Sequence, residues 1–122
     1  MPINNEKHTK LVHEALVALA KAGYSAWLNN TGGTKTQSRG WVTFGKKGSG
    51  DILLVLQPFG THTELEAKTG NAVQRQSQKI HQKYVVEKNG GIYIVFHSVE
   101  ELLSLIKKAE KWDQSRRHCI RP

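Results

Sequence analysis

The chain has 122 residues, a hydrophobic content of 38%, a net charge of +8 and a pI near 9.8. That length fits one domain able to bury a core without disulfides or structural metal, and the apolar fraction excludes a disordered tail. The basic balance, spread along most of the chain, favours a polyanionic partner, nucleic acid first.

Residues 6–22 carry Leu11, Val12, Ala15, Leu16 and Leu19 with a 3.6-residue period, which predicts a helix that stops at Gly23. Tyr24–Leu28 reads as a short strand, Asn29–Gly40 as a polar Gly/Thr-rich loop, and Trp41–Phe44 as a second short strand. Gly45–Gly50 (Gly-Lys-Lys-Gly-Ser-Gly) is a basic, flexible loop. Asp51–Gln57 is a strongly apolar strand and His62–Lys68 an alternating one, joined by the turn Pro58-Phe59-Gly60-Thr61 into a hairpin.

Asn71 with Gln74 has the pattern of a capping box and predicts a helix running to about Lys88, closed by Asn89-Gly90-Gly91. Ile92–Phe96 is a buried strand, placed after a helical crossover and so able to lie parallel to His62–Lys68. Ser98 and Glu101 open a last helix whose Leu102, Leu103, Leu105 and Ile106 face the core. Residues 1–112 are expected to form one domain and 113–122 a loose basic tail. The element order describes an α/β fold with helices flanking one sheet.

Side chains alternate along a strand, so Asp51, Leu53 and Val55 share one face, as do Glu64, Glu66 and Lys68. A turn over 58–61 pairs Gln57 with His62, Leu53 with Glu66 and Asp51 with Lys68. Asp51 and Glu66 are then diagonal neighbours, with Cα atoms roughly 7–8 Å apart, within reach of one hard cation. Magnesium suits two carboxylates, and the backbone carbonyl of Ala67 offers a further oxygen. Such an ion polarises a phosphate oxygen and lowers the pKa of a bound water. Lys68 would orient or deprotonate that water, or steady charge on phosphorus.

Several pieces in order carry a family resemblance: Trp27-Leu-Asn-Asn-Thr-Gly32, Gly48-Ser-Gly-Asp-Ile52, Leu65-Glu-Ala-Lys-Thr-Gly70, Gln78, Gly90-Gly-Ile-Tyr93 and Ser98-Val-Glu-Glu101. Over residues 8–105 the chain resembles the virus-type replication-repair nuclease (VRR-NUC) domain of the PD-(D/E)XK superfamily. The resemblance implies a restriction-endonuclease-like αβββαβ core, metal held by Asp51 and Glu66, hydrolysis assisted by Lys68, and support from Gln78 on the following helix. It implies Mg²⁺ as cofactor, with Mn²⁺ able to substitute. It also implies a homodimer acting on branched DNA like a Holliday-junction resolvase, often in phages. The family places an additional acid on the first helix. The alignment puts His8 there, and of the nearby acids Glu6 and Glu14 the second is preferred as a metal ligand, lying among apolar neighbours.

Arg75, Lys79 and Lys83 recur at helical spacing and, with Lys46 and Lys47, are candidates for phosphate contacts. Asn30, Thr31 and Ser49, among glycines, would admit a phosphate close to the backbone. Trp27 and Trp41 are candidates for stacking on bases, with core packing the preferred expectation for at least one. The six histidines lack ligand spacing, which argues against zinc. One cysteine, Cys119, and no CxxC pair favour a reducing compartment. No apolar leader and no run of about 18 apolar residues are present, so the expectation is a soluble cytoplasmic protein of a bacterium or phage-infected cell. Besides a junction nuclease, the same residues fit a nuclease for flap or plain duplex DNA, or a binding module without catalysis.

Overall fold

The computed structural model describes residues 6–30, 32–38 and 40–120, apart from the side chains of residues 44 and 118–120. Thr31 and the side chain of Cys119 therefore lie outside the described residues. The periodic run near the N-terminus forms α1 (Glu6–Lys21), with Leu11, Val12, Ala15 and Leu19 buried along one stripe. Gly23, at φ +87°, makes the turn into β1 (Ser25–Leu28).

Residues 29–40 are not one loop. Gly32–Thr36 forms β2 and pairs antiparallel with β3 (Gly40–Phe44) in a separate two-stranded sheet. The β-branched Thr34, Thr36, Val42 and Thr43 favour extended backbone, and Gly40 at φ +71° supplies the turn. Counting threonine as a loop signal hid the first strand. Neither Trp27, 51% exposed, nor Trp41, 67% exposed, enters the core. Trp41 instead lies across Gly33, where any Cβ would collide with its ring.

β4 (Ile52–Leu56) and β5 (Thr61–Ala67) form the expected hairpin, but the turn occupies residues 57–60, closed by the Gly60 N–H on Leu56 O at 2.8 Å. Leu56 therefore pairs with Thr61 and Leu53 with Glu64. Every partner moves by two residues from the expected register, which leaves each side chain on its expected face. Asp51, one step before Ile52↔Leu65, comes to lie opposite Glu66 instead of Lys68.

The next helix begins later than expected. Its first residue is Gln76, preceded by Arg75 in extended conformation, and α2 spans Gln76–His81. The residue that reaches back to the helix start is Gln78, whose Oε1 accepts the Arg75 N–H at 2.8 Å, while Gln74 bonds Gln82. The helical run continues as a π turn (Gln82–Val86) and a 3₁₀ turn (Glu87–Asn89), ending at Gly90 with φ +87°. β6 (Ile92–Phe96) follows, parallel to β5.

The main sheet has the order β1-β4-β5-β6. With the β2–β3 hairpin as an insertion, the core order is αβββαβ. One face of the sheet presents Ile52, Leu54, Leu56, Leu65, Ala67, Ile94 and Phe96 to α1 and α3 (Val99–Ile120). The opposite face carries Glu64 and Glu66 beneath α2. No helix among the described residues is long and apolar enough to cross a membrane.

Residues 113–120 do not form a loose tail, because α3 runs through Ile120. Asp113 is fully buried. It accepts a short hydrogen bond from Thr61 and one from Arg116 Nε at 2.7 Å, and Arg117 stands 3.4 Å away. Arg116 also donates to Gly90 O and Arg117 to Thr61 Oγ1. This knot ties the last helix to the start of β5. Burial pushes the Asp113 carboxyl up, but the hydrogen bonds and the two guanidinium charges outweigh it and hold the group below its ordinary range.

A depressed carboxylate contributes stability above its unfolded pKa, and that contribution is lost as pH falls through the folded value. Asp113→Ala is therefore expected to cost about 2–3 kcal/mol in urea unfolding at neutral pH, below the usual cost of breaking a buried pair because both arginines are partly exposed. The difference from wild type should shrink below about pH 4. An equal loss at neutral and acid pH would show that charge is not what Asp113 supplies.

Candidate metal centre

Asp51 and Glu66 face each other at the end of the β4–β5 hairpin remote from its turn. Asp51 precedes β4, and its carbonyl holds the Asn29 N–H at 2.8 Å beside the end of β1. Its Oδ2 accepts the Ala67 N–H at 2.9 Å, which turns the carboxylate toward β5. In an extended residue the N–H and C=O leave the strand on the same side, so the Ala67 carbonyl is directed to the same edge.

His8, in the first turn of α1, reaches Asp51 Oδ2 with its Nε2 at 3.1 Å. Ligand atoms of His8, Asp51 and Glu66 lie within 4.8 Å of one another. Helical spacing accounts for His8: positions 8, 12, 15 and 19 share a stripe, so it extends the buried face of Val12, Ala15 and Leu19 past the end of the sheet. Glu14 does not join the centre. It is exposed, six residues beyond His8 and thus on another side of α1, beside a groove lined by Val17, His97 and Ser98. The preference for an acid over the aligned histidine led away from the residue that makes the contact.

Glu66 is buried and held from below. Gln78 Nε2 donates to its Oε2 at 2.8 Å, and Lys68 Nζ lies 3.2 Å from the same oxygen. Lys68 Nζ also donates to Gln78 Oε1 at 2.9 Å. Lys68 and Gln78 are only 8% and 1% exposed, so neither is a solvated surface side chain. Burial pushes the Glu66 carboxyl up, the charge of Asp51 adds to this, and Lys68 and Gln78 offset part of it; the net direction is upward. Asp51, Glu66, Lys68 and Gln78 thus come together as the residue pattern requires.

A second buried network adjoins the first. Glu64 accepts the Gly50 N–H at 2.9 Å, and His81 Nε2 and His62 Nε2 stand 2.9 and 2.7 Å from its two oxygens. Gly50 is the last residue of the glycine-rich loop, so Glu64 fixes the approach to Asp51. Tyr93 OH donates to Gly48 O at 3.3 Å and steadies the same loop. Burial and the Glu66 charge push the Tyr93 phenol up, so it remains a donor. The alternation of charge at 64, 66 and 68 places Glu64 on this face, but nothing local points to His81 as its partner.

Of the candidate phosphate contacts, Lys46, Lys47, Arg75 and Lys79 are exposed. Lys47 and Arg75 line a cavity of about 380 Å³ with Gly45, Gly48 and Ser77, between the β2–β3 hairpin and the start of α2. The Ser49 hydroxyl is engaged inside its loop, donating to Lys46 O at 2.7 Å and accepting from Asn29 at 2.9 Å. Asn30 and Asn29 border a cleft of about 300 Å³ that reaches His8 and Asp51. Residues 15–50 and 67–86, which bracket the centre, contain no Asp or Glu.

The donor set fits a divalent cation. Two carboxylates and a carbonyl edge supply hard oxygens, and the upward displacement of Glu66, caused by burial first and by the Asp51 charge second, marks a carboxylate whose ionised form a cation would stabilise. Comparison with family models, curated proteins and solved structures finds no match to this chain.

Because its folded value is raised, ionised Glu66 opposes folding, and stability falls as pH rises from the unfolded value through the folded one. Glu66→Gln should therefore raise the Tm of the metal-free protein at neutral pH, with the gain over wild type shrinking toward acid pH. It should also abolish the Tm increase that millimolar Mg²⁺ or Mn²⁺ gives wild type. A variant that melts lower than wild type without metal would contradict this account of the carboxylate pair.

Proposed function

We propose that the protein is a metal-dependent endonuclease that hydrolyses DNA phosphodiesters. The observation that carries the proposal is the meeting of Asp51 and Glu66 beside the buried ammonium of Lys68 at one strand end. Basic charge and the acid-free segments on either side support a nucleic-acid substrate. The αβββαβ order agrees with the resemblance to VRR-NUC nucleases, and on this reading the chain acts as they do.

Asp51, Glu66 and the Ala67 carbonyl would hold the ion, Mg²⁺ or Mn²⁺. When bound, that ion supplies a polarised phosphate oxygen and a water of lowered pKa. Lys68 has its ammonium oriented by Gln78 Oε1, so it is prepared to steady the attacking water or the charge on phosphorus. Gln78 acts through Lys68 and Glu66 and is a positioning residue. Lys46, Lys47, Arg75 and Lys79 would neutralise the phosphate backbone, each contact steepening the salt dependence of binding.

The resemblance extends the proposal to branched DNA, to a homodimer whose two-fold axis brings two centres to a symmetric junction, and to a bacterial or phage-infected cytoplasm. A binding module without catalysis is the second reading, on the same basic surface.

The test is cleavage of labelled four-way junction, flap and duplex DNA in Mg²⁺, in Mn²⁺ and in EDTA. Cutting is expected only with metal, fastest on the junction. Asp51→Asn, Glu66→Gln and Lys68→Met should each lower the rate at least roughly 10²–10³-fold, the scale for losing one electrostatic stabiliser. DNA binding without cutting by wild type under both metals would leave the binding module in place.

A further inference from the structure

We infer that His8 is a nitrogen ligand of the metal centre and biases it toward a first-row transition ion, such as Mn²⁺, over magnesium. This rests on the metal-nuclease reading and names the ion class that the chain's own donors select.

Three observations carry it. His8 Nε2 lies 3.1 Å from Asp51 Oδ2. Adjacent ligands of an octahedral ion, each at about 2.1 Å, stand roughly 3.0 Å apart, so this spacing suits two neighbouring ligands of one cation. Next, the Nε2 atom falls in the same cluster as a Glu66 oxygen, within 4.8 Å, so all three side chains reach one point with small rotations. Finally, His8 is fixed by the fold. It continues the buried stripe of α1, and its side chain is one-third exposed at a cleft that also opens on Asp51.

Ligand chemistry then decides the ion. Mg²⁺ takes oxygen ligands and gives up its waters reluctantly, so an imidazole adds little to its binding. Imidazole suits iron, nickel, copper and zinc best; Mn²⁺, the weakest binder of that series, also favours oxygen donors but takes a nitrogen donor more readily than Mg²⁺ does. A glutamate at position 8 would give an all-oxygen centre, whereas His8 gives two carboxylates and one nitrogen. Ligation would use the Nε2 lone pair of the neutral imidazole with the ring proton on Nδ1, and the Asp51 contact becomes a shared coordination edge.

A hydrogen bond alone would also account for 3.1 Å, and His8 would then merely orient Asp51. The ratio of affinities separates the two. Titration calorimetry of Mg²⁺ and Mn²⁺ into the full metal-free chain should show Mn²⁺ binding tighter than Mg²⁺. Loss of even an outer partner of a metal ligand costs roughly 10–100-fold, so His8→Ala should weaken Mn²⁺ by at least about tenfold. Mg²⁺ affinity should change much less, and His8→Glu should move the preference toward Mg²⁺. Pulsed electron paramagnetic resonance of the Mn²⁺ complex should show modulation from a directly bound ¹⁴N that disappears in His8→Ala and His8→Gln. Equal weakening of both metals, or no nitrogen signal in wild type, overturns the inference and leaves the nuclease reading intact. Absence of any divalent-ion binding in wild type overturns both.

Discussion

The carboxamide of Gln78 sets the arrangement on which the rest of the centre depends. Its oxygen receives both Lys68 Nζ and the Arg75 N–H, so its nitrogen must face outward to Glu66. Donors on one side and a carboxylate on the other fix which end is which. The same group starts the helix, orients the ammonium and anchors the carboxylate. A carboxylate at position 78 would repel Glu66, and a lysine could not accept from Lys68. An amide alone satisfies both neighbours without adding charge to a buried site.

Ionised Glu66 works against folding, since its burial and the facing charge of Asp51 both disfavour the carboxylate. Lys68 balances Glu66, and the Ala67 N–H and His8 bond Asp51. The remaining cost falls on the opposite face of the sheet, where Leu19, Ile52, Leu54, Leu65, Phe96, Leu102 and Ile106 are essentially sealed from water. Each such side chain contributes about 1.5–3 kcal/mol over exposure, so a few of them outweigh one strained carboxylate. The Asp113 knot fastens the helix that covers this face to the strand that carries Glu66. The two faces thus divide the work, one holding the fold and the other holding the buried charges.

Much of this was legible in the sequence because strand alternation is robust. The turn lies one residue earlier than the Pro58–Thr61 reading, yet a two-residue change of register preserves every face, and Asp51 and Glu66 still meet. What was hidden depended on tertiary partners. The helix begins at Gln76 and not Asn71 because Gln78, held from β5 by Lys68 and Glu66, is the residue that reaches back to the Arg75 N–H, while Asn71 and Gln74 offer the same local spacing without those partners. Residues 113–120 look like a polar tail until Thr61 is brought beside them from 52 residues away. His8 resembles a solvated residue of a polar helix start unless it is read as the continuation of a stripe whose apolar members begin at Val12.

Topology explains why residues as far apart as 8, 51, 66 and 78 share one end of the sheet. β1 and β5 both run antiparallel to β4, so the ends of β1 and β5 coincide with the start of β4, at Asp51. A tight turn at Gly23 connects α1 to β1, so α1 runs back along the sheet and its first turn, with His8, lies over that same end. β6 is parallel to β5, so the chain must cross between them, and the crossover helix starts where β5 stops. That brings Gln78 above Lys68. In α/β sheets the carboxyl ends of parallel strands are where side chains from separate segments converge on a ligand. Here the antiparallel β4 contributes its first residue to the same place, which is how an acid from the start of one strand comes to face an acid near the end of the next.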